Sequence, residues 1–385
     1  MNNIIIGQSG GPTRVINASL VGVVKEAKKN KKIGKILGMR HGITGLFNDD
    51  LVDLRQISDE KLDLIANTPG SALGSCRHKP TSEDCEKIFE AFSKHEIKYW
   101  FYIGGNDSAE TVYLVSEIAK KKGYDFKAFH IPKTIDNDLC VTDHCPGYAS
   151  AAKYVAECFL GNDLDNRALK GVKIDIVMGR NAGWLTAASA LARFKEDAGP
   201  HLIYLPEHPK SLDTIVEEID DVYAGLGRCV VAVSEGIGAG SFSKETDSHG
   251  NMQLSGSGAL GDMITEYVKA HSRHAKLRIR TDTLGYAQRS FPAVVSKVDF
   301  DEAYMVGKVG LDFAVKGKNS GSVYIERVSN NPYKSEAKLT DLKNVARVTK
   351  NMPAEFIDKE GNWVTEAFLD YARPIVGEIS GVGVL

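Results

Sequence analysis

No run in the chain approaches the roughly 18 apolar residues of a membrane-spanning helix, and no fixed-period repeat is evident. The six cysteines (Cys76, Cys85, Cys140, Cys145, Cys158 and Cys229) show no CxxC spacing. Charge of one sign is also scarce, with a formal net charge of −2. The first absence excludes a helical membrane protein. The second reads as reduced thiols rather than a disulfide framework, pointing to a cytoplasmic setting. The third argues against nucleic acid or an anionic membrane as the main partner, while leaving room for a local anion site. The opening "MNNIIIGQSG" carries an apolar run too short for a signal peptide.

What is present is an alternation. At 385 residues the chain is long enough for two domains, or for one large sheet with insertions. Short apolar runs at 3–7, 99–105, 126–131, 172–179, 201–206 and 228–236 read as strands. Helical patterns such as "VINASLVGVVKEAKK", "SAETVYLVSEIAKKK" and "SLDTIVEEIDDVYAG" lie between them. Such alternation predicts an α/β fold with parallel strands and helices on both faces. Pro and Gly in "HCPGYASAAK" (144–153) mark a boundary between two lobes, and the Gly/Ser-rich 238–258 reads as a surface loop. The lysines of 25–35 suit a helix C-terminus and a solvated face. The stretch 343–378 reads as mixed helix and turn, its Trp363, Phe368 and Tyr371 packing against a lobe.

Ligands of open α/β sheets bind beyond the carboxyl ends of the strands, so the loops after the strands carry the chemistry. The first, "GQSGGPTRVIN" (7–17), is glycine-rich and opens a helix, which suits close approach of an anion. It is neither GxGxxG nor a P-loop, and glycines of this kind also serve plain turns. The second, "GGNDS" (104–108), offers Asn106, Asp107 or Ser108 as an ordinary N-cap, with Asn106 and Asp107 also able to offer oxygen to Mg²⁺. The third, "PKTIDND" (132–138), places Asp136 and Asp138 two apart, on one side of an extended segment. Paired carboxylates suit a general base and its support. The same residues also make an Asx-turn with solvated acids. The fourth, "MGRNAGW" (178–184), sets Arg180 at a strand end. With "LGYAQRS" (284–290), Arg280 and Glu235 it forms a scattered cationic set with one acid, the chemistry of a sugar phosphate.

In this order, Gly10–Gly11, "LGSCR" ending at Arg77, "GGNDS", "PKTIDND", "MGR", Glu235 and "LGYAQRS" resemble the phosphofructokinase family through most of the chain. The resemblance implies two Rossmann-like three-layer α/β/α lobes with mostly parallel sheets and an active site in the cleft between them. It assigns 1–147 plus about 288–335 to a phosphoryl-donor lobe, 148–287 to a sugar-phosphate lobe and about 336–385 to a C-terminal extension packed on the lobes. It also implies that Asp136 is the base toward the 1-hydroxyl of fructose 6-phosphate, supported by Asp138, with Thr134 and Arg180 flanking the transferring phosphoryl. Thr134, Ile135, Asp136, Met178, Gly179, Arg180, Glu235, Tyr286 and Arg289 would line the sugar-phosphate site. Arg280 would join them as a partner that in the family can come from a neighbouring subunit. Gly11 and Arg77 would face the donor, and Mg²⁺ would be the cofactor, with Asn106 as its protein contact.

ATP-using members resemble "GGDGS" and "PGTIDND"; here Asp107 and Lys133 stand at the differing glycines. An aspartate there fills and repels the α-phosphate position of a nucleotide, and a lysine supplies a point charge for pyrophosphate. The resemblance is therefore to the pyrophosphate-dependent branch, with reversible transfer from pyrophosphate to fructose 6-phosphate and a homodimer or homotetramer as the assembly. Asn106 replaces an aspartate of the ATP branch and Tyr286 a histidine. Gly171 stands where short ATP enzymes carry an arginine, for which Lys170 or Lys173 can substitute. The residues leave open sedoheptulose 7-phosphate as acceptor, the effectors and the direction of flux. A catalytically silent sugar-phosphate sensor is the rival from another class, and the intact Asp136, Thr134 and Arg180 argue against it. A nucleotide kinase with a "GGDG" loop is disfavoured by Asp107.

Overall fold

A computed structural model describes residues 2–238 and 258–384. The chain divides into two compact units, residues 1–148 with 297–350, and residues 149–296 with 351–385. Of the loop expected at 238–258, residues 239–257 lie outside the described residues.

The first unit is built on seven strands: β1 Asn2–Gln8, β2 Ile33–Met39, β3 Leu51–Asp53, β4 Ile97–Gly104, β5 Lys127–Pro132, and later β10 Gly321–Asn330 and β11 Tyr333–Thr340. Their order is β11-β10-β5-β4-β1-β2-β3. The inner pairs are parallel, and the two outermost, β2 with β3 and β10 with β11, are antiparallel. Successive side chains of a strand point to opposite faces, and both faces of this sheet are apolar. Ile4, Ile6, Phe101 and Ile103 pack with Leu20 and Val24 of the helix Ile16–Lys29 and with Val306 and Leu311 of Lys297–Val315. Ile5, Trp100 and Tyr102 pack with Ile88 and Phe89 of Ser82–Lys94 and with Val112 and Val115 of Asn106–Lys122. The result is three layers. Where the two helices of the first face cross, a Cβ on Gly22 would meet Tyr304 O and one on Gly307 would meet Ser19 O, so both positions must be bare for the backbones to approach.

The second unit has four strands, β6 Val172–Val177, β7 Leu202–Tyr204, β8 Cys229–Ser234 and β9 Ile279–Thr283, all parallel in the order β7-β8-β6-β9. One face packs on the helices Leu212–Leu226 and Ala259–His271 through Ile215, Ile219, Ile264 and Val268.

The strand and helix assignments read from the apolar runs match these elements to within a few residues. The domain limits differ at the C-terminal side. Residues 288–296 go with the second unit. Residues 336–350 belong to the first, because β11 completes a hairpin with β10 from Ser322↔Thr340 to Asn330↔Tyr333. Only 351–385 joins the second unit as an added segment. There Phe368 is buried, Tyr371 lies 5.4 Å from both Trp184 and Phe356, and the Arg193 guanidinium sits 4.8 Å above Trp363, in keeping with the packing expected of these aromatics. The lysine run is only partly a solvated face, since Lys25 and Lys28 pair with Asp63 and Asp59.

Candidate active site

In the first unit β1, β4 and β5 are neighbours, with Gln8 opposite Ile103 and Gly104 opposite Pro132. Parallel strands end on one edge, so the loops after Gln8, Gly104 and Pro132 emerge together. Gly10 has φ +76, a left-handed backbone suited to glycine. Its N–H donates to Cys76 O at 3.2 Å and its carbonyl accepts Ser75 Oγ at 2.6 Å, which sets the segment before Arg77 against the glycine turn. Lys133 is only 3% exposed, and its ammonium donates to Gly11 O at 2.8 Å. The lysine of the third loop is thus embedded on the first.

The helix Asn106–Lys122 begins after Gly105 with no side-chain cap, so none of Asn106, Asp107 and Ser108 plays the N-cap role that their composition predicts. Gly104 leaves no room for a Cβ beside Ser108 Oγ. Asp107 is exposed in the first helical turn. Asn106 Nδ2 donates to Asp138 Oδ2 at 2.8 Å, while Asn106 Oδ1 is buried without a hydrogen-bond partner among the described residues.

The segment with the two aspartates is a turn and not the extended strand that would place alternate residues on one side. Asn137 has φ +56 and is buried, its Oδ1 accepting Cys145 N–H at 2.9 Å, and Thr134 Oγ1 accepts Asp136 N–H at 3.1 Å. The turn still couples the acids: burial, then the charge of Asp136, pushes Asp138 up to about 7. Ile135 is buried beneath it.

In the second unit β8, β6 and β9 are neighbours, with Ser234 opposite Val177 and Thr283 opposite Ile176. Gly179 has φ +137, and a Cβ there would stand 2.5 Å from Ala182 O. Its N–H donates to Glu235 Oε1 at 3.3 Å and its carbonyl accepts Ser234 Oγ at 2.7 Å. Met178 N–H donates to Gln288 Oε1 at 3.2 Å. Met178, Gly179, Arg180, Glu235, Tyr286 and Arg289 are therefore brought together by one set of strand ends, with Glu235 buried and the Arg289 guanidinium 4.8 Å above the exposed Tyr286 ring. Arg180 Nε is buried with no hydrogen-bond partner among the described residues.

Arg280 is not brought to these loops. It pairs in register with Lys173, near the start of β6, and its guanidinium donates to Asp165 at 2.5 Å and Leu169 O at 2.8 Å. Gly171 has φ +145 and no room for a side chain beside Arg278 O. Lys173 is engaged by Asp175 and Asp282, whereas Lys170 is exposed.

Several supporting residues were not singled out in the sequence. His130 is fully buried, its Nε2 donating to Gly104 O at 2.9 Å and its Nδ1 2.8 Å from Ser322 Oγ; burial pushes it down to about 4, so a neutral ring holds the end of β4. Buried Gln8 joins Asn17 and Leu73 N–H at 2.9 Å each, bracing the segment that leads to Arg77. Gln288 joins Met178 N–H to Gly285 O, tying the loops after β6 and β9 in one residue. Its place within "LGYAQRS" was the only signal available.

A family model described as phosphofructokinase matches residues 3–301. The chain belongs to the phosphofructokinase family. The pyrophosphate–fructose 6-phosphate 1-phosphotransferase of Rhodospirillum rubrum is 49% identical over 383 residues, covering 97% of this chain and 94% of that protein. The solved pyrophosphate-dependent phosphofructokinase of Nitrosospira multiformis superposes with a TM-score of 0.88 at 36% identity, over 100% of this chain and 94% of that one. That of Marinobacter aquaeolei gives 0.86 at 36%, over 99% and 93%. These names support neither sedoheptulose 7-phosphate as acceptor nor a silent sensor. Among the described residues of this phosphofructokinase no helix is long and apolar enough to cross a membrane, and no group of three His, Cys, Asp or Glu is placed to hold a metal.

Proposed function

We propose that this phosphofructokinase is pyrophosphate-dependent, transferring phosphate from pyrophosphate to the 1-hydroxyl of D-fructose 6-phosphate to give fructose 1,6-bisphosphate and orthophosphate. The observation that carries the donor is Lys133, a buried ammonium held against the Gly10–Gly11 turn. A cation anchored there suits a short, highly charged donor, and the exposed carboxylate of Asp107 at the neighbouring helix start repels a nucleotide.

In-line phosphoryl transfer depends on position and charge neutralisation more than on covalent help. Gly11, Arg77 and Lys133 hold pyrophosphate. Asp136 takes the proton of the 1-hydroxyl, and Thr134, whose Oγ1 already meets the Asp136 N–H, flanks the phosphoryl with Arg180. Asp138 supports the base from the same turn. Met178, Gly179, Glu235, Tyr286 and Arg289, with Ile135, bind the sugar phosphate. The acid takes hydroxyls and the arginine fork takes the phosphate.

Mg²⁺ fits the oxygen set of the first unit. The orphaned Asn106 Oδ1 and the Asp138 carboxylate bonded to the same amide are hard oxygen ligands. With so few protein groups, Mg²⁺ would keep waters and substrate oxygens as its remaining ligands, neutralising charge on pyrophosphate when bound. The reaction is reversible, because the pyrophosphate bond cleaved and the C1 phosphate ester formed are of comparable energy; such an enzyme serves glycolysis and gluconeogenesis. The six free cysteines fit a cytoplasmic enzyme. In a homodimer or homotetramer Arg280 would exchange Asp165 for the sugar phosphate of a neighbour.

Initial rates with fructose 6-phosphate and Mg²⁺, comparing pyrophosphate with ATP, test the proposal. Turnover with pyrophosphate alone is the expected result, and turnover with ATP alone would overturn the donor reading. Asp136→Ser should abolish turnover while leaving sugar-phosphate binding near normal; equal losses in both would remove Asp136 as the base.

A further inference from the structure

Lys350 lies beyond the family match, which ends at residue 301. It is tied to both ends of the loop that follows the aspartate turn. At one end its N–H donates to Asp138 O at 2.8 Å, and the adjacent Thr349 bridges Leu139 in antiparallel fashion. At the other its ammonium donates to Thr142 O at 3.0 Å and Asp143 O at 2.8 Å. Between these anchors stands Val141, with φ +73 and a side chain 47% exposed. A β-branched residue takes a left-handed backbone only where its surroundings impose it, and an exposed valine is held there by no packing of its own. The conformation of the loop is therefore imposed from outside, and Lys350 reaches it from both sides.

We infer that Lys350 is a positioning residue for phosphoryl transfer, clamping residues 138–143 so that the Asp136–Asp138 turn keeps its bonds to Thr134 and Asn106. The ammonium suits this work because one point charge donates to two carbonyls at once. Its pKa is lowered by burial, opposed by Cys145, Asp143 and Asp138 among others. The inference rests on the reading of Asp136 as the base.

Lys350→Met keeps the stem and removes the charge and donors. The expected result is a kcat reduced about 10- to 100-fold by misplacement of the turn. KM for fructose 6-phosphate and pyrophosphate should stay within about threefold, since Gly11, Arg77, Lys133 and Arg289 make none of the Lys350 bonds. Lys350→Arg, able to reach the same carbonyls, should recover most of kcat. An unchanged kcat in Lys350→Met, KM values rising in step with the loss, or an arginine variant no better than methionine would each overturn the inference. If Lys350→Met does not fold, the double variant with Val141→Gly, compared with Val141→Gly alone, carries the same test, because glycine adopts the left-handed backbone without strain. Asp136→Ser measured alongside separates the two ideas: full turnover there removes the base, whereas a dead Asp136→Ser beside a fully active Lys350→Met removes only the clamp.

Discussion

Raising the pH should destabilise the first unit through His144. The imidazole is fully buried, with Nδ1 2.7 Å from Asp143 Oδ1 and Nε2 2.5 Å from Glu302 Oε2. Burial disfavours its charge, but Glu302 and then Asp143 outweigh burial and raise the pKa to about 9. Both carboxylates are held below their ordinary values despite burial, Asp143 with help from Arg327, and Glu302 with help from the hydroxyls of Ser335 and Tyr333. The folded pKa lies above the ordinary 6.5 or so of histidine, so the stabilisation is complete below that value and is lost as pH rises through 9. A difference of about 2.5 units corresponds to about 3 kcal/mol at most. His144→Gln leaves Glu302 buried without its cation and should cost roughly 3 kcal/mol at pH 7. Urea unfolding of both proteins from pH 6.5 to 9.5 measures this. The gap between them should narrow as pH rises and the wild-type ring loses its proton. Parallel stability curves over the whole range would refute an imidazolium at this position.

Lys133→Met should lower kcat/KM for pyrophosphate by about 100-fold or more, the scale of a desolvated charge contact, with little change in melting temperature; steady-state kinetics and a thermal melt decide it. Gly179→Ala forces a methyl against Ala182 O at φ +137 and should cost roughly 2 kcal/mol of stability while raising KM for fructose 6-phosphate, seen by calorimetry and kinetics. Gln288→Leu leaves the Met178 N–H without its acceptor and should cost about 1–3 kcal/mol, with a higher KM for the sugar phosphate and an unaltered KM for pyrophosphate.

The α/β alternation was legible in the order of the residues, and so were the loops in which the proposed site lies. Apolar runs such as "NIIIG" and "YWFYIGG" end in glycine just before a 3.6-residue pattern begins, and a buried parallel strand followed by a crossover helix leaves few other readings. The motif loops stood out for the same reason, since glycines, paired acids and arginines are costly at a strand end unless the backbone or a ligand needs them. Other features were decided only by tertiary structure. The β10–β11 hairpin alternates polar and apolar residues as a half-exposed edge does, and its place beside β5 rests on Gly321↔Phe129, a pairing between distant segments. The "GGNDS" loop looks like a capped helix start, yet its amide turns to Asp138, because a side chain bonds to whatever the fold brings within reach. "DND" reads as extended, but buried Asn137 makes it a turn by accepting Cys145 N–H. Lys350 carries no local signal at all. Its meaning comes from two carbonyls more than 200 positions earlier in the chain, and only the folded sheet brings them to it.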